Sequence, residues 1–269
     1  MLTYNCEGFL GIVLGSVYRE IPVHHLIIVD GYSRDRTVEI VGKYPNVKII
    51  KTKKSLGKCR EIGIRNVDTE WFAFVDSDVV LKPGWLRTVE SLIAPGVGAV
   101  EGLDRLVDPR RRAFQDGMEK LRKRLGREYH PKSSERAFTG DTLIRTELVR
   151  GIVIPNRLKV YEDQYIREYI ERQGYQWVKS DEYLCLHYDF KRANRTVLAG
   201  EIAYRAGYAE LKDHFLNVAK IFPKVLYAFY VTRVWQMIPY QIKWYFGYLK
   251  GSLRGRVKGR FKNTAPPQS

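Results

Sequence analysis

The sequence predicts an α/β protein with a mainly parallel, doubly wound sheet, and three features of its first hundred residues predict it. Short apolar runs of strand type recur, "HLIIVD" (25–30), "VKII" (47–50) and "WFAFVD" (71–76). Between and after them lie stretches of helical periodicity, at about 35–44, 56–67 and 84–94. Strands of about four to six residues separated by such helical patterns make βαβ units. Turn residues punctuate the alternation: Ser33 and Thr37 bracket a helix start, and Pro83-Gly84 marks the next turn. In sheets of this kind ligands bind beyond the carboxyl ends of the strands. Asp30 and Asp76 each close a strand, so both should face that crevice.

Later segments continue the pattern less regularly. Residues 104–136 are rich in Arg and Lys with six acids among them, and read as an exposed helical insertion or loop. A second ordered block follows, with "FTGDTLIRTELV" (138–149), a helical pattern at 162–173 and the strand-like pieces "YQWVKS" and "YLCLHY". From about residue 195 the texture changes to long aromatic-rich helices, and the last seven residues read as a disordered tail.

Bulk properties narrow the function. At 269 residues and 45% hydrophobic content the chain is globular and long enough for a full core. Cys6, Cys59 and Cys185 are scattered and form no CxxC pair, which predicts reduced thiols in a cytosolic setting, with neither a disulfide framework nor a cysteine zinc site. No basic region precedes the first apolar run, as it would in a signal peptide. The formal charge of +16 is the unusual property. From Lys191 onward there are 15 Lys and Arg against three acids, a net of +12. Such a balance points to nucleic acid, an anionic membrane surface or an anionic substrate.

The chemistry concentrates in "WFAFVDSDVV" (71–80), where Asp76 and Asp78 flank Ser77 at the end of an apolar strand. A carboxylate placed there costs solvation unless something compensates it. Turn formation is one reason for such residues; a hard divalent cation held by both is the other. Glu162 and Asp163 stand side by side at a helix start. They point about 100° apart, so only one readily faces a given ligand. Favourable charge at a helix N-terminus is the alternative role.

Six segments, taken in order, carry a resemblance over residues 1 to about 190: "TYNCEGFLGIVLGSV", "VDGYSRDRT", "GKCREIGI", "FVDSD", "YEDQYIREYIERQGY" and "YLCLHYD". Together they resemble the family 2 inverting glycosyltransferases of the GT-A fold. The resemblance implies a nucleotide-sugar donor and Mn²⁺ or Mg²⁺. It makes Asp78 a direct metal ligand, with Asp76 sharing the metal or lying nearer the ribose and Ser77 between them on the donor side. His187 is a further ligand or a structural donor. Tyr4 would stack on the base beside Thr3, and Asp30 and Arg60 would hydrogen-bond the base edge or ribose. Asp163 would be the general base. Two positions depart from the family pattern, Gly31 where Asp is usual and Glu61 where Asn is usual.

The resemblance also divides the chain. Residues 1–194 form the GT-A domain, with a nucleotide-binding half (1–103) and an acceptor half (104–194). A basic aromatic helical segment (195–262) and the tail (263–269) follow. The family's opening "P-T-Y-N" normally follows a strand, whereas Met1 stands two residues before Thr3. The reading is therefore that this first strand is missing, through a late start or a cut, and that its two neighbours expose unpaired edges.

In the last third, "FPKVLYAFYVTRVWQMIPYQIKWYFGYLKGSLRG" is apolar, but Arg233 and Pro239 argue against a span. An Arg at the bilayer centre costs roughly 2.5–3.5 kcal/mol. Lys243, Lys250 and Arg254 share one helical face, and Tyr245, Phe246, Tyr248 and Leu249 fill much of the rest. That is the pattern of a helix in a membrane interface; helices packed on a domain are the alternative. The reading that combines these features is a metal-dependent glycosyltransferase on the cytoplasmic membrane face. Its acceptor would be a saccharide hydroxyl, lipid-linked, and no nucleic-acid partner is expected. A polyprenyl-phosphate acceptor is the alternative, but such enzymes usually continue "DxDLQHPP" where this chain has "DSDVVLKPGW". A non-catalytic binding module would explain the charge and leave the carboxylates at the strand ends unexplained.

Overall fold

The computed structural model describes residues 1–124, 136–188, 196–212, 221–233, 235 and 237–261. The tail at 263–269 therefore lies outside the described residues. Two compact units divide the chain: residues 1–105 and 136–188 belong to one, and the described residues from 106–124 and from 196 onward to the other. Residues 106–124, which the sequence places in the acceptor half, thus group with the carboxy-terminal helices.

The first unit holds eight described strands: β1 (Leu2–Thr3), β2 (Leu26–Asp30), β3 (Val47–Lys51), β4 (Trp71–Val75), β5 (Val79–Leu81), β6 (Val97–Leu106), β7 (Asp141–Arg145) and β8 (Gln176–His187). Nine described helices follow in chain order: α1 (Glu7–Glu20), α2 (Thr37–Val41), α3 (Leu56–Arg65), α4 (Trp85–Ser91), α5 (Pro109–Arg124), α6 (Glu162–Glu171), α7 (Thr196–Ala206), α8 (Ile221–Thr232) and α9 (Met237–Lys258). Strands β1, β2 and β3 form a parallel sheet in that order, and the second sheet runs β4-β7-β6-β8-β5. In the second sheet β4 and β6 each pair antiparallel with β7, and β5 with β8. The expected strands at 25–30, 47–50 and 71–76 appear within a residue or so, and the pieces "YQWVKS" and "YLCLHY" join into one strand. The long strand β6 was not foreseen: its two glycines and three charged residues interrupt any apolar alternation.

Helix α1 serves both sheets. Leu10 and Leu14 pack with Leu26, Ile28 and Val41 on the first. Val13 and Val17 pack with Val75, Val79, Leu81 and the fully buried Trp85 on the second. Together the four fall at i, i+3, i+4 and i+7, one apolar stripe wide enough to touch both sheets. The Ser16 hydroxyl accepts the Leu81 N–H at 3.0 Å, fixing β5 against the helix.

At the place expected for a missing first strand stands the two-residue β1. Leu2 pairs with Val29 and Thr3 with Asp30, and the Met1 amine donates to the Ile27 carbonyl at 2.8 Å. Among the described residues no ladder joins the two sheets. An apolar cleft of about 280 Å³ lies there instead, with Leu26 and Ile27 on one wall and Trp71, Ala73 and Val75 on the other. Burial, and then repulsion by Arg60, push the Met1 amine down from its ordinary 8.0 to about 5.

In the second unit α9 lies backbone-to-backbone on α7. A Cβ on Gly251 would stand 2.0 Å from the Val197 carbonyl oxygen, and one on Gly200 would stand 2.0 Å from that of Tyr248. Only glycine permits so close an approach. Ser252 donates to the Gly200 carbonyl at 3.1 Å. Lys243, Lys250 and Arg254 remain exposed, as do Trp244, Phe246 and Leu253. Helix α5 packs on α8, which explains its grouping here. No described helix is long and apolar enough to cross a membrane.

An extension of about six alternating apolar residues ahead of Met1 would continue the β1 ladder into the cleft. It is expected to raise the melting temperature, since each large apolar side chain buried contributes roughly 1.5–3 kcal/mol. The lowered amine pKa adds a pH signature. The amine is neutral in the fold and protonated when unfolded between about pH 5 and 8, so stability falls as pH drops through that window. Moving the amine out to solvent removes the penalty, so the gain should be larger at pH 5 than at pH 8.5. An unchanged melting temperature would show that the cleft cannot take a strand.

Candidate active site

Three strand ends converge at one edge of the first unit, those of β1, β2 and β4, bearing Thr3, Asp30 and Asp76. Asp30 is fully buried. It accepts the Thr3 hydroxyl at 2.9 Å and the Ser33 N–H and hydroxyl at 2.8 and 2.6 Å. Thr3 and Asp30, expected to meet a nucleotide, are thus engaged with one another and with the turn that follows β2. Tyr4, by contrast, is 64% exposed at the rim, open to stack on a planar ligand.

Arg60, on α3, connects the strand ends to α6. Its side chain is 5% exposed and donates Nη2 to Asp76 Oδ1 at 3.1 Å, and Nε lies 3.6 Å from Glu162 Oε1. The guanidinium also lies 4.9 Å over the Phe74 ring. Burial disfavours its charge, but Asp76 and Glu162 outweigh that and raise its pKa. Nε and Nη1 are buried and make no hydrogen bond. Glu162 is itself buried, and its Oε2 has no hydrogen-bond partner. Desolvation first, then the neighbouring Asp163, push its pKa up to about 7. Glu61, the departure from the family's Asn, accepts the Ile154 N–H at 2.9 Å and so ties the chain before α6 to α3.

Asp163 faces another way. Arg136 Nη2 reaches both of its oxygens at 3.0 Å, and the Gln164 N–H donates to Oδ1 at 2.8 Å. Arg136 lies 4.2 Å over the Tyr161 ring, and its side chain is 43% exposed, so this pair borders solvent. Sequence reasoning missed Arg136, whose only signal was membership of a basic stretch.

The third group forms where β5 pairs with β8. Val79 is opposite His187, which brings His187 Nε2 to 3.8 Å from Asp78 Oδ2 and Nδ1 to 3.0 Å from Asp104 Oδ2. Burial opposes the imidazolium, but the hydrogen bonds to Asp104 and Asp78 win and push its pKa up to about 9. Asp104, on the unforeseen β6, is a second residue that the sequence did not single out. Nearby, Asp141 is fully buried, and a Cβ on Gly102 would stand 1.8 Å from its Oδ2. Burial, then Glu101 and Asp104, raise its pKa well above the ordinary carboxylate value.

The residues fit a divalent cation in part. Asp78 and His187 Nε2 face each other, and Asp104 holds the other ring nitrogen, as the outer partner of a metal-bound histidine does. Asp76 turns instead to Arg60, so Asp76, Asp78 and His187 do not bring their ligand atoms within 4.8 Å of one another. Ser77 is half-buried, with its hydroxyl against the Cys6 thiol.

An α/β unit with parallel strands, a carboxylate pair after β4 and an acidic helix start facing it has the GT-A fold. The chain belongs to glycosyl transferase family 2, whose model matches residues 1–143. The poly(ribitol-phosphate) beta-N-acetylglucosaminyltransferase TarS of Staphylococcus aureus Mu50 is 29% identical over 100 residues, 34% of this chain. The match spans 18% of that relative's length, and the same values hold for TarS of strain MW2. The crystal structure of S. aureus TarS 1-349 superposes with a TM-score of 0.55 at 17% identity, covering 97% of this chain and 91% of the other. Mannosyltransferase PcManGT from Pyrobaculum calidifontis, in complex with GDP-Man and Mn²⁺, gives 0.58 at 16% identity, covering 98% and 75%. Glucosyl-3-phosphoglycerate synthase from Mycobacterium tuberculosis, in complex with Mg²⁺ and UDP, gives 0.53 at 15% identity, covering 76% and 75%. These likenesses define the fold.

The raised Glu162 pKa carries a stability signature. The fold favours its neutral form, so its contribution is complete below about pH 4.5 and lost as pH rises through about 7. Glu162→Gln keeps a neutral side chain at every pH and should flatten the pH dependence of the urea midpoint across that window. A wild-type slope that persists in the variant would assign it to another group.

Proposed function

We propose that the chain is a metal-dependent glycosyltransferase that moves a sugar, with inversion, from a nucleotide-sugar donor to a hydroxyl of a lipid-linked saccharide. The observation that carries this reading is the buried connection Asp76–Arg60–Glu162. It joins the end of β4, where a diphosphate would bind, to the helix start that bears Asp163. PcManGT binds GDP-Man with Mn²⁺ and the mycobacterial synthase UDP with Mg²⁺, which supports a nucleotide-sugar donor and a cation here.

When bound, a divalent cation held by Asp78 and His187, with Asp76, would stabilise the negative charge of the departing diphosphate. The chain's residues do the rest. Tyr4 stacks on the base, with Thr3, Asp30 and Ser77 shaping the donor side. Arg60 keeps Asp76 in place, and its Nη1, which makes no hydrogen bond within the fold, is the group that would serve the donor. Asp163 takes the proton from the acceptor hydroxyl as the oxygen attacks the sugar. Arg136 occupies both Asp163 oxygens, so it must turn aside, and its solvent-bordering position allows that. Glu162 points inward to Arg60 and serves position, not proton transfer.

Asp78→Asn should leave the fold intact and nearly abolish transfer, and excess EDTA should do the same to wild type. Asp163→Asn should cut turnover by about 10²–10⁴ with donor affinity nearly unchanged. Lost affinity with turnover preserved at saturation would refute the base. A polyprenyl phosphate is already ionised and needs no base, so transfer to it that tolerates Asp163→Asn would establish that alternative acceptor.

The exposed basic face of α9, with Trp244, Phe246 and Leu253, supports peripheral attachment to an anionic, cytoplasmic leaflet, where each basic residue is worth about 1 kcal/mol. Co-sedimentation with anionic vesicles should weaken as salt rises, because the attraction acts within about 8 Å at physiological salt. Changing Lys243, Lys250 and Arg254 to Glu should remove most of it and leave donor hydrolysis unchanged. Indifference of wild type to anionic and neutral vesicles alike would point to a soluble acceptor.

A further inference from the structure

Far from the donor site, two histidines and an aspartate meet at the other end of the strands. His24 and His25 immediately precede β2, and Asp68 precedes β4. The donor-side residues lie at the opposite ends, about 16 Å away along a five-residue strand at roughly 3.3 Å per residue. His25 Nδ1 is 3.5 Å and His24 Nε2 4.0 Å from the same Asp68 oxygen. Neighbouring residues in extended backbone point to opposite sides. Here a bend at residue 24 turns both rings the same way, with centroids 4.2 Å apart. Among the described residues this is the sole set of three His, Cys, Asp or Glu side chains whose ligand atoms all lie within 4.8 Å of one another.

We propose that His24, His25 and Asp68 form a second metal site, for a borderline transition metal of the Zn²⁺ class. Two imidazoles and one carboxylate suit Zn²⁺, Ni²⁺ or Cu²⁺ over Mg²⁺, which prefers an all-oxygen shell. Ligands at 2.0–2.2 Å around a tetrahedral ion stand about 3.3 Å apart. His25 and Asp68 are already at that spacing, and His24 closes it by turning an exposed ring. All three side chains are exposed, which leaves the remaining coordination position to water. The three also line the apolar cleft between β2 and β4. Because no described ladder joins the sheets there, a bound ion would clip the segment before β2 to the segment before β4 across its mouth.

The test uses the full chain carrying Asp78→Asn, so that the donor-side carboxylates do not report. Zinc titration by calorimetry should give one site per chain, and Zn²⁺ should raise the melting temperature while Mg²⁺ should not. His24→Gln, His25→Gln and Asp68→Asn should each weaken zinc binding by about tenfold or more, since even outer partners of a metal ligand cost 10–100-fold. These residues are exposed, so the variants should fold, and Mn²⁺-dependent transfer in the otherwise wild-type chain should be unaltered. Zinc affinity and thermal shift that survive the His24→Gln/His25→Gln double change would overturn the site. So would a chain that binds no zinc at all.

Discussion

The interaction on which the rest of the site depends is the burial of one cation, Arg60, between two carboxylates from different elements. Asp76 ends β4 and Glu162 begins α6, and neither would hold its place without a charge between them. The constraint is severe because the guanidinium is 5% exposed. Removing one member of such a buried pair typically costs about 3–5 kcal/mol, since its partner is left charged and unmatched. That cost fixes α6 against α3 and thereby sets where Asp163 stands. Arg60 thus holds the site together through Asp76 and Glu162, while its buried Nε and Nη1 make no hydrogen bond.

The adjacent carboxylates Glu162 and Asp163 show how environment separates identical chemistry. Glu162 sits in the interior, where desolvation and its neighbour lift its pKa to about 7. Asp163, one helical position on, reaches the Arg136 fork at the solvent border. Two acids whose surroundings differ this much can hold different roles at a single pH. The helix start creates the difference, because a 100° turn points one buried side chain to Arg60 and the next to Arg136.

Much of this was legible in the sequence, and the limits have physical causes. The strands β2, β3 and β4 could be read because each is a short apolar run closed by a turn or a carboxylate. Asp76, Asp78, Glu162 and Asp163 could be read because acids at element ends are conspicuous. Arg136, Asp104 and Asp141 could not. Arg136 reaches Asp163 from 27 positions away, and Asp104 reaches His187 across 83, so no local pattern announces either. Strand β6 was hidden because its glycines make room for Leu148, Ile170 and Asp141, and its acids pair with Lys179 and His187, in place of an apolar alternation. The turn of Asp76 toward Arg60 and away from Asp78 is likewise a tertiary fact, set by where α3 lies. Thr3 and Asp30 were correctly placed at strand ends, but their pairing depends on β1 and β2 lying in register.

For the carboxy-terminal helix the sequence posed packing and membrane attachment as alternatives, and the geometry removes the conflict. Helix α9 spends one stripe, Gly247, Gly251 and Gly255, on contact with α7. Small residues there let the two backbones approach closely. The large ones, Trp244, Phe246 and Leu253, are left outward beside Lys243, Lys250 and Arg254. A helix packed through leucines would have buried its apolar surface and kept only charge for solvent. One packed through glycines keeps both apolar area and positive charge for an external surface. Packing through glycines therefore leaves apolar and basic side chains of the same helix exposed together, which is why the composition of the segment reads ambiguously.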